Sequence, residues 1–511
     1  MYSDKYTNNC TENDTEMKRA DDVIRHGRLG GERNSDIDSF LSSMEADKNI
    51  APHDVCVDIA HLLMLADCGI TSTSNAQKIM RELLRMYYEG VPKSAFDPRY
   101  EDIHAGIEST IIANIGIDSG GWLHVARSRN DEVATCLRLY ARAAAHIQMQ
   151  ALIDLRQTLI NIAQEHIDTI MPGFTHLQHA QPTTLAHHML AYEQMFARDM
   201  ERLFSAYTRI NKSPLGAAAF ASTGYPIDRE NTCRDLGFDG IVENTMDAVA
   251  SRDFACELLS LDAILEMHIS RLCEELVIWN SGLVRFVELD DAYCSTSSIM
   301  PQKKNPDVAE ILRSRTGSVV GEFLSAVSIM KGLPLTYNRD LQDLNSHLFF
   351  GTKNVSRDIR LLAGMLKTAS FQKDRMREEA GKGYSTATGL ADHLVRMYDI
   401  SFRQAHNLIG SAVRDGNLDL KTVNKAAMEL AGINLSEMGL TDAEIEHVLD
   451  PEYSVAERNN PGGPAHGAIV DALIHRIRLL EEDKKHYEAI VKQAMEAHKN
   501  LIKKAQEFVE G

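Results

Sequence analysis

Residues 185–210, LAHHMLAYEQMFARDMERLFSAYTRI, set apolar side chains at Leu185, Met189, Tyr192, Phe196, Met200, Leu203, Tyr207 and Ile210. Steps of three and four residues follow the period of an α-helix, and Pro182 just upstream is a helix-start signal. The stretch predicts an amphipathic helix of about 40 Å at 1.5 Å per residue. Two further runs share the period and lack interior proline. One passes through Val133, Leu137, Tyr140, Ala144, Ile147, Ala151, Leu155 and Leu159, the other through Phe254, Leu258, Leu261, Leu265, Leu272, Leu276 and Trp279. The alternation of a parallel sheet is absent, so the predicted fold class is all-α. Helices this long pack lengthwise in a bundle, and their broad apolar faces point to partners from other subunits. An elongated coiled coil has the same period. Against it stand breaks at Gly173, Pro214, Gly224, Pro301 and Gly332, spaced like the joints of a bundle.

The breaks divide the chain into an N-terminal helical part with a polar leader (1–120), a central long-helix bundle (121–380) and a C-terminal helical part with an extension (381–511). From Ala472 onward the spacing predicts one or two solvated surface helices, with Ile490, Val491, Met495, Ile502 and Phe508 on the apolar side. The 511 residues, 44% hydrophobic, suffice for a large core. A net charge of -19 without a long Lys/Arg run argues against nucleic-acid or anionic-membrane partners. Residues 1–22 are polar and lack the apolar core of a signal peptide, and no run of about 18 apolar residues occurs, so the expected compartment is the cytoplasm. The eight cysteines include no C-x-x-C pair and read as reduced thiols; Cys294, beside a serine-rich stretch, is the one weighed as a nucleophile.

Polar residues gather at the joints. Arg127-Ser128-Arg129-Asn130-Asp131-Glu132 precedes a long helix, where two guanidinium groups and backbone N–H groups could cradle a carboxylate; Ser128 or Asp131 could equally be a simple N-cap. Thr175-His176-Leu177-Gln178-His179 sets hydroxyl and amide donors beside an imidazole, although a lone histidine is more often structural. Ser295-Thr296-Ser297-Ser298-Ile299-Met300-Pro301-Gln302-Lys303-Lys304-Asn305-Pro306 reads as a mobile loop running into a helix, with Glu310 one turn inside; it suits gripping and deprotonating an anion, and an ordinary surface loop is the alternative.

Together these strings resemble the fumarase and aspartase superfamily, and within it the argininosuccinate lyase family. Ser297-Ser298-x-Met-Pro-x-Lys303-x-Asn305 is similar to the superfamily's signature loop, and Met-Pro-Gln-Lys-Lys-Asn-Pro-Asp to the argininosuccinate branch. The likeness runs from about residue 38 to 465, through Ser128-Arg-Asn-Asp131, Thr175-His-Leu-Gln178, Pro226-Ile-Asp-Arg-Glu230, Lys331-Gly-Leu-Pro-Leu335 and Tyr337-Asn-x-Asp-Leu-Gln342. It implies a three-domain fold whose central bundle joins a homotetramer core, with active sites shared among three chains. It implies β-elimination of fumarate from an N-substituted aspartate, a small dicarboxylate substrate, and neither cofactor nor metal.

Such an elimination removes a weakly acidic proton beside a carboxylate, so donors and positive charge must converge on the aci-carboxylate that forms. The resemblance assigns Ser128, Asn130, Thr175, Lys303 and Asn305 to the succinyl carboxylates, with Arg129 beside them, and Ser297 to the general base. A serine needs surrounding donors to ionise. His176, paired with Glu310, manages the leaving group's proton, and Ser43, Asp47, Arg252, Tyr337 and Gln342 hold the amino-acid end. Departures qualify the amine. The family's Lys three residues after Gln342 is Asn345, a loss of about 1–3 kcal/mol for a charge-assisted contact. The Gln after Ser-Arg-Asn-Asp is Glu132, the preceding Thr-Gly is Val125-Ala126, the Gly before Ser-Ser is Thr296, and Gly27-Arg28-Leu29 stands where Trp-Gly-Gly-Arg-Phe is usual. Three classes are therefore weighed: a fumarate-releasing lyase acting on argininosuccinate or another N-substituted aspartate or aminopolycarboxylate, a non-catalytic structural relative, and a metal hydrolase built on His176, His179, His187 and His188.

Overall fold

The computed structural model describes residues 35–98 and 100–511; Cys10, Gly27, Arg28, Leu29 and the polar leader lie outside the described residues. The principal elements, labelled in chain order, begin with α1 (Ala51–Asp67), α2 (Thr73–Glu89), α3 (Ile103–Ile115) and α4 (Arg129–Glu165). A hairpin of β1 (Ile170–Thr175) and β2 (Gln178–Thr184) leads into α5 (Leu185–Ile210) and α6 (Asp253–Asn280). The two-residue strands β3 (Ser295–Thr296) and β4 (Lys304–Asn305) pair ahead of α7 (Asp307–Met330) and α8 (Asp340–Thr368). Smaller helices α9 (Ala387–Tyr398), α10 (Phe402–Arg414), α11 (Leu420–Ala431) and α12 (Asp442–Leu449) precede α13 (His466–Glu510). The fold is all-α, with strands confined to short antiparallel pairs.

The periodic runs fold as the spacing predicts, and their apolar rows are the core: Met189, Phe196 and Met200 of α5, Leu137 and Leu155 of α4, and Leu258 and Leu272 of α6 are all fully buried. The start of α5 differs from the expectation. Pro182 lies in β2, and Thr184 caps the helix by accepting from the His187 N–H at 3.1 Å. The hairpin itself escaped a reading tuned to helical periods, because its strands carry Pro172, Gly173 and Pro182 in place of alternating apolar residues.

Helices α4, α5, α6, α7 and α8 pack side by side, each reversing the direction of the one before it in sequence. The bundle consequently has two ends. At one lie the starts of α4, α6 and α8; at the other lie the β1–β2 hairpin and the 295–305 loop, which follow the far ends of α4 and α6. Since α4 has 37 residues, it separates these ends by about 55 Å at 1.5 Å per residue.

Between α6 and α8 the bundle holds Glu266, fully buried, with neither oxygen receiving a hydrogen bond from the protein. Burial, then the charges of Asp358 and Asp262, push its pKa up to about 9. A folded-state value above the unfolded one means that stability falls as pH rises from about 4.5 towards 9, because only the unfolded chain ionises in that window. Glu266→Gln is expected to raise stability at pH 7 by on the order of 2 kcal/mol and to flatten the dependence of Tm on pH between 5 and 9. A Tm that drops at pH 8 would show that the acid is ionised and paired.

The small helices α9 to α12 enclose a core of their own around Leu390, Leu408, Val423 and Ile445. Helix α13 leaves it and lies along the large core, where Leu473, Leu480, Leu501 and Ile502 are buried. It is a single 45-residue helix with a buried seam, not a solvated surface helix, and Met495 of the predicted apolar side is exposed.

Candidate active site

At the first end of the bundle a cavity of about 100 Å³ gathers seven of the predicted substrate residues: Ser43, Asp47, Arg129, Asn130, Arg252, Tyr337 and Gln342. They arrive from distant parts of the sequence. Arg252 is the residue before α6, Arg129 and Asn130 open α4, and Tyr337 and Gln342 flank the start of α8. Asp47 is buried, accepts from Ser43 Oγ at 2.6 Å and from the Ile103 N–H at 3.2 Å, and burial raises its pKa to about 6. Arg252 is also buried. It donates to the carbonyls of Ser251 (2.9 Å) and Val249 (3.3 Å), leaves Nε without a protein acceptor, and is lowered to about 10 by desolvation.

Sequence reasoning did not single out Glu101, Asp102, His104 and Arg339, which line the same cavity. Asp102 caps α3 through the Ala105 N–H and pairs with Arg129 at 2.6 Å; Arg339 donates to the Leu41 carbonyl at 2.6 Å and lies 3.5 Å from Glu101. The available signal was an Asp one residue before a helix start in the string Glu101-Asp102-Ile103-His104.

Ser128 is the N-cap of α4 in a capping box with Asp131, and Asp131 also accepts from the Gly216 and Ala218 N–H groups, at 2.9 and 2.8 Å. The cap reading of that string thus holds for these two residues, while Asn130 and Arg129 face the cavity. Arg127 does not cradle a ligand. Its buried guanidinium holds Asp58 (2.5 Å) and Glu132 (2.9 Å), so the carboxylates of Asp54, Asp58 and Glu132, close enough together for a metal ion, surround an arginine cation.

The other predicted residues lie at the opposite end. Thr175 and His176 form the exposed tip of the β1–β2 hairpin, with His176 and Leu177 both at positive φ. Ser297 is half-buried and accepts from the N–H groups of Ile299 (3.3 Å) and Met300 (3.1 Å). Lys303 is exposed, while Asn305 and Glu310 are half-buried as the chain enters α7. Among the described residues no ion pair joins His176 to Glu310 within this chain. The hairpin, about 20 Å long at 3.3 Å per residue, cannot bridge the length of α4, so one chain keeps the two halves of the residue set apart.

Of the four histidines weighed as metal ligands, three turn to separate partners: His187 to Thr183 and the Gly462 carbonyl, His188 to Glu275, and His179 towards Glu379 at 3.6 Å, while His176 stands exposed at the hairpin tip. Burial raises the Cys294 thiol pKa, which leaves it a poor nucleophile, and the seven described cysteines are unpaired.

Comparison with known proteins agrees with this architecture. A family model described as "Lyase" matches residues 27–321, and class II fumarase from Schistosoma mansoni, 17% identical, shares the fold at a TM-score of 0.68 over 79% of this chain and 90% of that one. Fold and motifs together define a carbon–nitrogen lyase of the fumarase/aspartase superfamily. A second model, "Argininosuccinate lyase C-terminal", matches residues 384–456. The argininosuccinate lyase of Methanospirillum hungatei is 60% identical over 462 residues, 90% of this chain and 94% of its own. That of Methanoculleus marisnigri is 53% identical over 95% of this chain and 99% of its own. The chain belongs to the argininosuccinate lyase family. Among solved structures, EDDS lyase is similar at 28% identity and a TM-score of 0.82, covering 94% of this chain and 97% of that one.

Proposed function

We propose that this enzyme cleaves argininosuccinate to arginine and fumarate by β-elimination. The observation that carries the reading is the cavity in which Ser43, Asp47, Arg252, Tyr337 and Gln342 converge, a mixed set of acid, guanidinium, hydroxyl and amide suited to an amino-acid end. The relatives named argininosuccinate lyase support it. In this reading Ser297 takes the proton beside the carboxylate, and Lys303, Asn305, Thr175, Ser128, Arg129 and Asn130 stabilise the charge that develops there. His176, oriented by Glu310 of another copy, hands a proton to the departing amine.

Because these groups occupy opposite ends of a long bundle, the complete site requires ends of different copies to meet. A homotetramer with shared sites satisfies this, and exposed apolar residues on α7 (Ile311, Leu324, Val327) and Phe350 of α8 support a subunit contact along the bundle. The division near residues 120 and 380 and a cytoplasmic location belong to the same reading; no described helix is long and apolar enough to cross a membrane.

A second reading, another N-substituted aspartate, is favoured by the neutral Asn345 in the amino-acid cavity and by the likeness to EDDS lyase. Fumarate release, followed by ultraviolet absorbance with argininosuccinate and a panel of other N-substituted aspartates, separates the two. Turnover of argininosuccinate well above the panel is the expected result, turnover of a panel compound alone moves the substrate, and silence on all returns the protein to the non-catalytic class.

A further inference from the structure

Three residues lining the amino-acid cavity each keep a buried polar atom without a protein partner. Oδ1 of Asn345 is an acceptor, where the family pattern has a lysine; the others are Nε2 of His104 and Nε of Arg252. Of the cations there, Arg129 is bound to Asp102 and Arg339 to the Leu41 carbonyl and Glu101, while Arg252 gives Nη1 to two backbone carbonyls and keeps Nε without a protein partner. His104 lines the cavity, turns Nδ1 to Asp54 Oδ2 at 2.8 Å, and leaves Nε2 without a protein partner. Glu132 Oε1 stands 3.7 Å from the same Nδ1.

Two departures from the family pattern therefore meet at one histidine. At 345 a cation is lost from the cavity, and at 132 an amide becomes a carboxylate placed behind His104. Burial works against charge on the ring, but Asp54 and Glu132 outweigh it and hold the imidazole's proton affinity well above the ordinary histidine range. An imidazolium donates from both nitrogens, and with Nδ1 spent on Asp54 its Nε2–H is available to an anion.

We infer that His104 supplies, through Nε2–H, the positive charge for the α-carboxylate of the departing amine that residue 345 supplies elsewhere in the family, while Asn345 Oδ1 receives the neighbouring α-ammonium. The inference rests on the proposed function, since it presumes an α-amino-acid amine, and makes His104 a specificity-determining residue peculiar to chains with Asn at 345.

The test compares argininosuccinate with the corresponding agmatine adduct, which lacks the α-carboxylate. In His104→Gln the preference for the carboxylated substrate in kcat/KM should shrink by about 30-fold, mainly through KM, in the range a charged hydrogen bond supplies. Adding Asn345→Lys to that variant should restore most of the preference, which a merely structural role for His104 would not allow. Undiminished preference in His104→Gln, or no recovery in the double variant, overturns the inference alone; fumarate from neither substrate with the unaltered enzyme overturns the proposed function and the inference with it. Should His104→Gln fail to assemble, the crystal structure of the unaltered enzyme with arginine decides. An α-carboxylate oxygen within about 3.2 Å of Nε2 supports the inference, and a carboxylate bound elsewhere ends it.

Discussion

Ser297→Ala is expected to lower kcat for fumarate release by at least about 10³-fold while leaving the assembly intact, since positioned proton transfer contributes about 10²–10⁴-fold. In the proposed reading, the local geometry helps a serine to do this work. Ser295 pairs with Asn305 and Thr296 with Lys304, so two rungs of sheet pin both feet of the loop beside the start of α7. The turn they close aims the Ile299 and Met300 N–H groups at Ser297 Oγ, and two fixed donors on one oxygen favour its ionised form, as in an oxyanion hole. A variant with normal turnover would remove Ser297 from the base role. The same variant tests the sharing of sites. Mixed and reassembled with Tyr337→Ala, altered at the opposite end, it should regain part of the activity, because some composite sites then draw both ends from intact copies. Two inactive variants that stay inactive when mixed would place the whole site within one chain.

Glu193→Ala is expected to destabilise the fold by about 3–5 kcal/mol, the usual consequence of leaving a buried charge without its partner. Glu193 and Arg156 are both fully buried. Arg156 Nε donates to Glu193 at 2.9 Å and Nη1 to Asp483 at 2.6 Å, while Arg476 donates to the other Glu193 oxygen at 2.5 Å. One carboxylate thus joins α4, α5 and α13, and its removal leaves Arg156 Nε without an acceptor in the core and, among the described residues, Asp483 as the only carboxylate still paired with that arginine. Denaturant melts should show the midpoint moving far to lower concentration; a change below about 1 kcal/mol would mean that water reaches the guanidinium and the network is dispensable.

How legible this was in the sequence depended on the kind of signal. The helices of the bundle were readable because Leu185 to Ile210 and the two parallel runs repeat an apolar face that only burial explains. The hairpin was not, since Pro172, Gly173 and Pro182 look like punctuation until the backbone between them is seen to pair. Half of the site was visible as strings, but no periodicity reveals that Thr175 and Asn130 sit at opposite ends of one helix and cannot meet within a chain. Arg127 misled for a related reason. In the sequence it is a cation beside Arg129, and only packing discloses that Asp58, some seventy residues away, already holds it. Asn345 stood out as a departure, whereas His104 acquired meaning only once Asp54, Glu132 and the cavity wall were found around it.

Helix α13 bears on how the protein is made. Gln77 and Tyr88 of α2 hydrogen-bond to the Phe508 carbonyl and to Gln506, and Tyr87 meets His498. The layer that α2 helps to build therefore stays unfinished until residue 508 has been synthesised, more than four hundred residues after α2. Folding of this chain is a matter of waiting, with an apolar face open throughout translation, and nascent chains stalled before α13 are natural clients of chaperones that shield such faces.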